Sequence, residues 1–501
     1  MVENRIQSFE VSDSGEVGDL ISKAKKQAAR KLKVGLLCLG WFEWWPMFPE
    51  SDMESNIRND AKKFISEMKR RFGDRYDFVA PDHLVDTLNG ANECGKLFAK
   101  EAVDAVIVVE NTYLTDFIPI EVLDHLPQST PTIVFATQAT KNLWSTMRNT
   151  DIIRFEGLVG NAQLVGAFKK MGRPYKVAVG SLEDDKSYEK LGKHLMVIDL
   201  IRELKSVDIG LLGHTFRGMY DIEIDKTKVK GAFGPNVLYL DVSHLINIWE
   251  KVDDKEIDDF IAQLDREVPI ESVVVTEEDK RKSVALGIAA CKLVDKFGIE
   301  ALTLLGQHHV EVATRTSADF SFYCMEKKGI MTTHEGDIAN LVMKYILRYI
   351  SGKLPIFLEW TAFDEKSDTM LLTHHGVVDP VEMAADLTKA RWTPSPEKWD
   401  FTGNGFSVEY VGKAGPVTMA SIINEEKSWK MLISQGECVE LMQCPSYAPQ
   451  FYFRPQGKDI KTYIEQILTE GVAHHICLVY GDFREELELY ADYIGLPKVI
   501  I

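Results

Sequence analysis

The sequence predicts an α/β protein in which two tandem doubly wound α/β domains precede a β-rich, barrel-like C-terminal domain with helices. Three observations predict it. The chain has 501 residues, 45% of them apolar, which is more than one ordinary core holds. Through its first two thirds, continuous apolar runs alternate with amphipathic stretches, as in parallel strands covered on both faces by helices. After Leu354 the pattern changes to closely spaced β-rich runs separated by turn residues, which reads as an antiparallel sheet or barrel.

The elements follow in order. In the first domain, residues 1–174, KVGLLCLG leads to a helical stretch over 52–71 and DFVA to one over 89–101. AVIVVE is followed by a turn region at 118–126 and then TIVFAT, and the domain ends near Arg173-Pro174. The second domain, 175–354, restarts with YKVAVGS, a helix over 186–205, VDIGLLG and NVLYLDVS. Helical 243–265 and 279–297, the strand-like ALTLLG and a helix opened by Glu335 complete it. The third domain, 355–501, holds TMLLTHHGVV, FSVEYV, PVTMASIIN and WKMLISQGECVELM, and closes with helices near 458–469 and 484–494. The chain shows no internal repeat and no low-complexity tract.

The 76 acidic and 58 basic residues leave a net charge of −18. Such a surface repels nucleic acid and anionic membrane and leaves small neutral or metal-bound substrates as partners. The first twenty residues carry acids and serines where a secretory peptide needs an apolar stretch, and no segment approaches the ~18 uninterrupted apolar residues of a membrane span. The expected location is therefore the cytoplasm. Seven scattered cysteines without a CxxC pair suit reduced thiols packed as small apolar residues.

The chemistry concentrates in the last third, in Glu335 of THEGDI, Glu359 of FLEW, the pair His374-His375 and the pair His474-His475. Two carboxylates and two imidazoles from four segments form a donor set for Mn, Co, Fe or Zn. Each has a plainer reading. Glu335 and Asp337 stand at a helix N-terminus, where acids serve as caps. Glu359 is flanked by Phe357, Leu358 and Trp360, so it needs a cation, a proton or an edge strand facing water. A single HH pair reads as ordinary strand-end histidines. Because adjacent strand side chains point to opposite faces, one histidine of each pair is expected at a given site. Four coincidences together favour the metal.

EGDI opening a helix, an acid 24 residues on in an apolar strand, an L-x-H-H-G strand end and a late G-x-A-H-H-x-C together resemble the metal-binding pattern of the L-arabinose isomerase and L-fucose isomerase superfamily. TPTIVFATQ with Gln138, and the stretch from VDIGLLGHTFRGM to LDVSHLINIWEKVDD, extend the resemblance over nearly the whole chain after about residue 30. It implies a metal-dependent aldose–ketose isomerase acting on a pentose or deoxyhexose, with a Mn²⁺-type ion held by Glu335, Glu359, His374 and His475; Co²⁺, Fe²⁺ and Mg²⁺ are alternatives. Glu335 and Glu359 would double as the acid/base pair of a cis-enediol mechanism, and Gln138, Arg217, Met219 and His474 would meet the sugar. A three-domain subunit in a homo-oligomer, hexameric or trimer-based, with active sites between subunits is implied too.

The chain departs from the family where GWFEWWPMFPE, Gly40 to Glu50, replaces a polar segment after the first strand. That strip suits stacking on a sugar, closing a subunit interface or plain packing. The segment from Gln307 to Val312 could bring His308, His309 or Glu311 toward the substrate, or lie on the surface. The sugar stays open among L-arabinose, L-fucose, D-arabinose, related pentoses and deoxyhexoses, and acidic or sulfonated hexoses. Two rival readings are a non-catalytic sugar-binding or regulatory protein, and a metal-dependent hydrolase or aldolase on the same scaffold.

Overall fold

A computed structural model describes residues 30–397 and 401–501. It is a mixed α/β structure that divides into two compact units between Asp199 and Leu200. The N-terminal stretch read for a targeting signal lies outside the described residues.

The first unit carries a parallel sheet of β1 (Leu32–Leu39), β2 (Tyr76–Val79), β3 (Ala105–Glu110), β4 (Thr132–Gln138) and β5 (Lys176–Ser181), in the order β2-β1-β3-β4-β5. β3 is buried at every position, as a strand covered on both faces must be. Its last residue, Glu110, is 1% exposed, and neither carboxylate oxygen has a hydrogen-bond partner among the described residues. The helix Gly157–Met171 reaches it through glycine: a Cβ on Gly160 would stand 2.3 Å from Glu110 Oε2. Residues 118–126, expected as a turn region, lie largely in the helix Phe117–Asp124. Its proline lies in the first turn, where no N–H is needed, and Ile118 and Val122 bury one face.

The second unit begins with β6 (Asp208–Leu212) and β7 (Asn236–Leu240), then the two-residue β8 (Glu271–Ser272), β9 (Ala301–Leu304) and β10 (Met331–His334). Four of these form a parallel sheet in the order β10-β9-β6-β7. The stretch 243–265, expected as one helix, is two, Val242–Trp249 and Asp254–Glu267. Asp253 starts the second as its cap and forms a capping box with Glu256, which fixes a break.

The remaining strands are β11 (Ile356–Asp364), β12 (Thr369–Thr373), β13 (Arg391–Pro394), β14 (Phe406–Val411), β15 (Gly415–Asn424), β16 (Trp429–Val439), β17 (Pro449–Pro455), β18 (His475–Tyr480) and β19 (Lys498–Ile500). With β8 they make a mixed ten-stranded sheet. Within it the antiparallel pairs β15–β16, β16–β17, β17–β12, β12–β11, β11–β18 and β18–β15 close on themselves. A closed ring leaves those six strands without free edges. The helix Ile338–Ser351 is buried along most of its length.

Candidate metal centre

Strand register places the first pair of groups. Glu359 on β11 is the direct partner of His475 on β18 and of Thr373 on β12, and opposed residues of antiparallel strands share a face. β11 lies between two strands, so Glu359 is not on an edge, yet its side chain keeps 35% exposure toward the site.

Glu335 arrives from the parallel sheet. Its N–H donates to Leu304 O at 3.0 Å, extending the β9–β10 ladder by one residue. Glu335 itself then takes φ +62° and Gly336 φ +84°. Left-handed backbone costs a non-glycine residue of order 1–3 kcal/mol, a strain that gathers at functional sites. Gly336 is required because a Cβ there would lie 2.6 Å from Thr215 Cα. Phe216 N donates to Glu335 O at 2.8 Å, so the 214–219 loop holds the turn. The expected helix opening falls at Ile338, and the acid that caps it is Asp337, whose carboxylate accepts from Asn340 N.

All four histidines of the two pairs aim Nε2 at these acids, against the expectation of one per pair. His475 Nε2 is 3.5 Å from Glu335 Oε2 and 4.0 Å from Glu359 Oε1. His374 Nε2 is 3.6 Å from Glu359 Oε1, His375 Nε2 3.6 Å from Glu335 Oε1, and His474 Nε2 3.9 Å from Glu335 Oε2. Alternation fails because β12 ends at Thr373 and β18 begins at His475, which leaves one or both histidines of each pair outside the pleat.

Each ring is fixed through its other nitrogen. Nδ1 of His475 meets Asp337 at 3.0 Å, that of His375 meets Asp319 at 3.0 Å, and that of His474 meets Asp221 at 2.6 Å. His374 Nδ1 meets the carbonyl of His375 at 2.8 Å. A carboxylate or carbonyl behind the distal ring nitrogen is the support found behind metal-ligating histidines. All four Nε2 atoms are buried without hydrogen-bond partners among the described residues. Buried polar atoms are seldom left so. Glu335, Glu359, His474 and His475 each offer an atom within 4.8 Å of the others, and oxygen with neutral nitrogen suits a borderline divalent cation. The residues present fit such an ion.

Between protein groups alone, burial pushes the Glu335 carboxyl up, but the facing imidazoles of His375, His474 and His475 hold it well below the usual range. Burial opposes charge on His475 and His375, yet their carboxylate partners carry them up to about 9 and about 10. His374 moves the other way, through burial and the neighbouring imidazoles. The site therefore holds its own counter-charge as imidazolium, which a cation would displace.

Of the other expected residues, Gln138 ends β4 in the first unit and donates to Thr140 O at 2.8 Å. Arg217 and Met219 lie on the loop held by Phe216, with Arg217 exposed. Sequence reasoning left Gln307 as one end of an uncommitted segment; its amide donates to Glu335 Oε1 at 3.1 Å. Asp319, Asp221 and His334 were missed; no local motif marks the two acids, whereas His334 stands beside Glu335 in THEGDI.

No family model matches the chain. It is 20% identical over 353 residues to a sulfoquinovose isomerase of Alkalicoccus urumqiensis, covering 70% of this chain and 77% of that one. An L-arabinose isomerase of Aeromonas hydrophila subsp. hydrophila is 22% identical over 387 residues, 74% of this chain and 76% of its own. Another, of Anoxybacillus flavithermus, is 20% identical over 483 residues, 93% and 95% of the two chains.

Proposed function

We propose, from the support these relatives give to an arabinose isomerase-like family and to an isomerase, that the chain interconverts an aldose and a ketose sugar with a divalent metal ion. The observation that carries the reading is the meeting of Glu335 and Glu359, far apart in sequence, among buried imidazole nitrogens. Glu335, Glu359, His374 and His475 are the proposed ligands, with Mn²⁺ the first ion to try. His474 is a fifth donor within reach.

Isomerisation moves a proton between C1 and C2, and the α-C–H is a weak acid. A divalent ion held here would supply polarisation of the carbonyl and keep O1 and O2 in the cis geometry of an enediol. Glu335 and Glu359 supply the base that takes the proton at one carbon and returns it at the other. Glu359, half-open and without the three-histidine shell that fixes Glu335, is the better placed to touch substrate. Gln307 holds Glu335 in register. Gln138, Arg217 and Met219 belong to the proposal as sugar contacts, as do the divisions after 174 and 354 and a homo-oligomer with sites between subunits.

The substrate proposed is a pentose, deoxyhexose or acidic hexose. Incubation with Mn²⁺ and a panel of such aldoses in deuterium oxide should give a ketose carrying deuterium from solvent. No ketose and no exchange from any sugar would overturn the reading, and cleavage or hydrolysis products would point to the aldolase or hydrolase alternative.

A further inference from the structure

A second set of metal-type donors lies beside the first. His334, the last residue of β10, joins His374 and His375, each offering one ring nitrogen within 4.8 Å of the other two. It shares no member with the compact group of Glu335, Glu359, His474 and His475.

His334 is 7% exposed, and its Nδ1 is buried without a partner among the described residues, as are Nε2 of His374 and of His375. Three buried nitrogens without partners on one group of neighbouring rings are costly unless something satisfies them. The ring is fixed by stacking on Phe322, with centroids 3.5 Å apart and planes at 18°. Its space is kept open by Gly376, where a Cβ would stand 2.6 Å from His334 Cε1 and 2.9 Å from Nε2. Gly376 has φ +114°. The glycine after the HH pair is therefore required by the His334 ring as well as by its own backbone.

Charge supports a second cation. Glu335, Glu359, Asp319, Asp337 and Asp221 all converge on the histidines, directly or through Nδ1. With neutral imidazoles, one divalent ion balances two of these five charges and a second balances two more. The acids also connect the two groups: His375 of the second set is 3.6 Å from Glu335, and His374 is 3.6 Å from Glu359. A carboxylate shared in this way is what joins paired ions roughly 3.5–4 Å apart.

We propose that this chain holds two divalent ions: one in the acid-rich group, and a second, of the nitrogen-preferring class of Zn²⁺ or Co²⁺, on His334, His374 and His375, with Glu335 or Glu359 between them. This rests on the reading of the first group as a metal site and assigns His374 to the second ion when both are bound.

The test is metal stoichiometry on the full chain. Protein stripped with a chelator is dialysed against excess Co²⁺, freed of loose ion by gel filtration, and assayed by mass spectrometry for cobalt per chain. Two ions per chain are expected in the wild type and one in His334→Phe, which keeps an aromatic ring against Phe322. The loss should remove an intense visible absorption of low-coordinate, nitrogen-bound cobalt. Should His334→Phe not fold, His334→Gln is read in the same way. Saturation of the wild type at one ion, or two ions retained in a folded His334 variant, would overturn the proposal. One bound ion with aldose–ketose turnover intact would sink the second ion and leave the isomerase; two ions with no sugar exchanging would do the reverse.

Discussion

Asp337 and His475 face each other across 3.0 Å with neither side chain open to solvent, and the same carboxylate accepts the N–H of Asn340 as the cap of the helix Ile338–Ser351. One side chain thus starts a helix and sets the tautomer of an imidazole in the metal centre. Asp337→Asn keeps an oxygen for the cap but turns an amide donor toward Nδ1, favouring the tautomer that cannot ligate through Nε2. Affinity for Mn²⁺ should fall roughly 10–100-fold, as when support behind a ligand is removed, and chelated protein should melt lower at neutral pH, where the charge of Asp337 holds the proton on His475 against burial. Unchanged affinity in a competition titration would mean that Asp337 serves the helix alone.

Glu335 and Glu359 differ in surroundings, and their variants should differ in kind. Either change to glutamine keeps volume and removes a charge, and each should lower kcat by roughly 10³-fold or more, the scale of losing an acid/base group together with metal charge. Glu335→Gln, facing three imidazoles, should also weaken metal binding the more. Glu359→Gln, half-exposed, should leave more ion bound per chain at equal loss of turnover. A near-normal rate in either variant removes that residue from the mechanism.

How far the site was legible depends on how far each contact travels through the fold. Glu335, Glu359 and the HH pairs stand in motifs whose spacing and apolar flanks carry a signal along the chain. Asp319 and Asp221 carry none, because their part is set by distant partners, 253 positions away between Asp221 and His474, and His334 was passed over although it stands beside Glu335 in THEGDI. The alternation rule misjudged the histidine pairs because strand ends fall between or beside them, a boundary set by hydrogen-bond partners on other strands. The split of 243–265 was readable in principle, since Asp253 and Glu256 form a capping pattern inside an otherwise continuous amphipathic stretch. The parallel sheets and the β-rich, barrel-like C-terminal run followed from hydrophobic pattern alone; which strands meet to close the ring did not, since that depends on long-range pairings such as β11 with β18.

Chelated protein should lose stability as pH rises above neutrality. The folded pKa values of His475 and His375 lie above the ordinary histidine value, near 9 and near 10. Their contribution is therefore fully present below the unfolded pKa of about 6.5 and is lost as pH rises through the folded values. The melting temperature with EDTA should decline across that window. With saturating Mn²⁺ the decline should shrink or reverse, because ligation needs the neutral ring and strengthens as protons leave. Parallel profiles with and without the ion, measured by calorimetry from pH 6 to 10, would show that the cation and the imidazolium protons do not compete.

Glu110, remote in sequence from the metal centre, gives a prediction of opposite sign. Burial, then the charge of Asp116, pushes its carboxyl well above the ordinary range. An acid whose folded pKa is raised costs stability as pH climbs past its unfolded value of about 4.3. The neutral form is the one the fold accepts, since a Cβ on Gly160 would lie 2.3 Å from its oxygen and no cation is found against it among the described residues. Glu110→Gln mimics that neutral form in shape. It should raise the melting temperature by a few degrees at pH 8, corresponding to about 1–3 kcal/mol for an imperfectly satisfied buried group, and change little at pH 4. A variant that destabilises equally at both pH values would show that Glu110 is held as a carboxylate by a cation or another ligand.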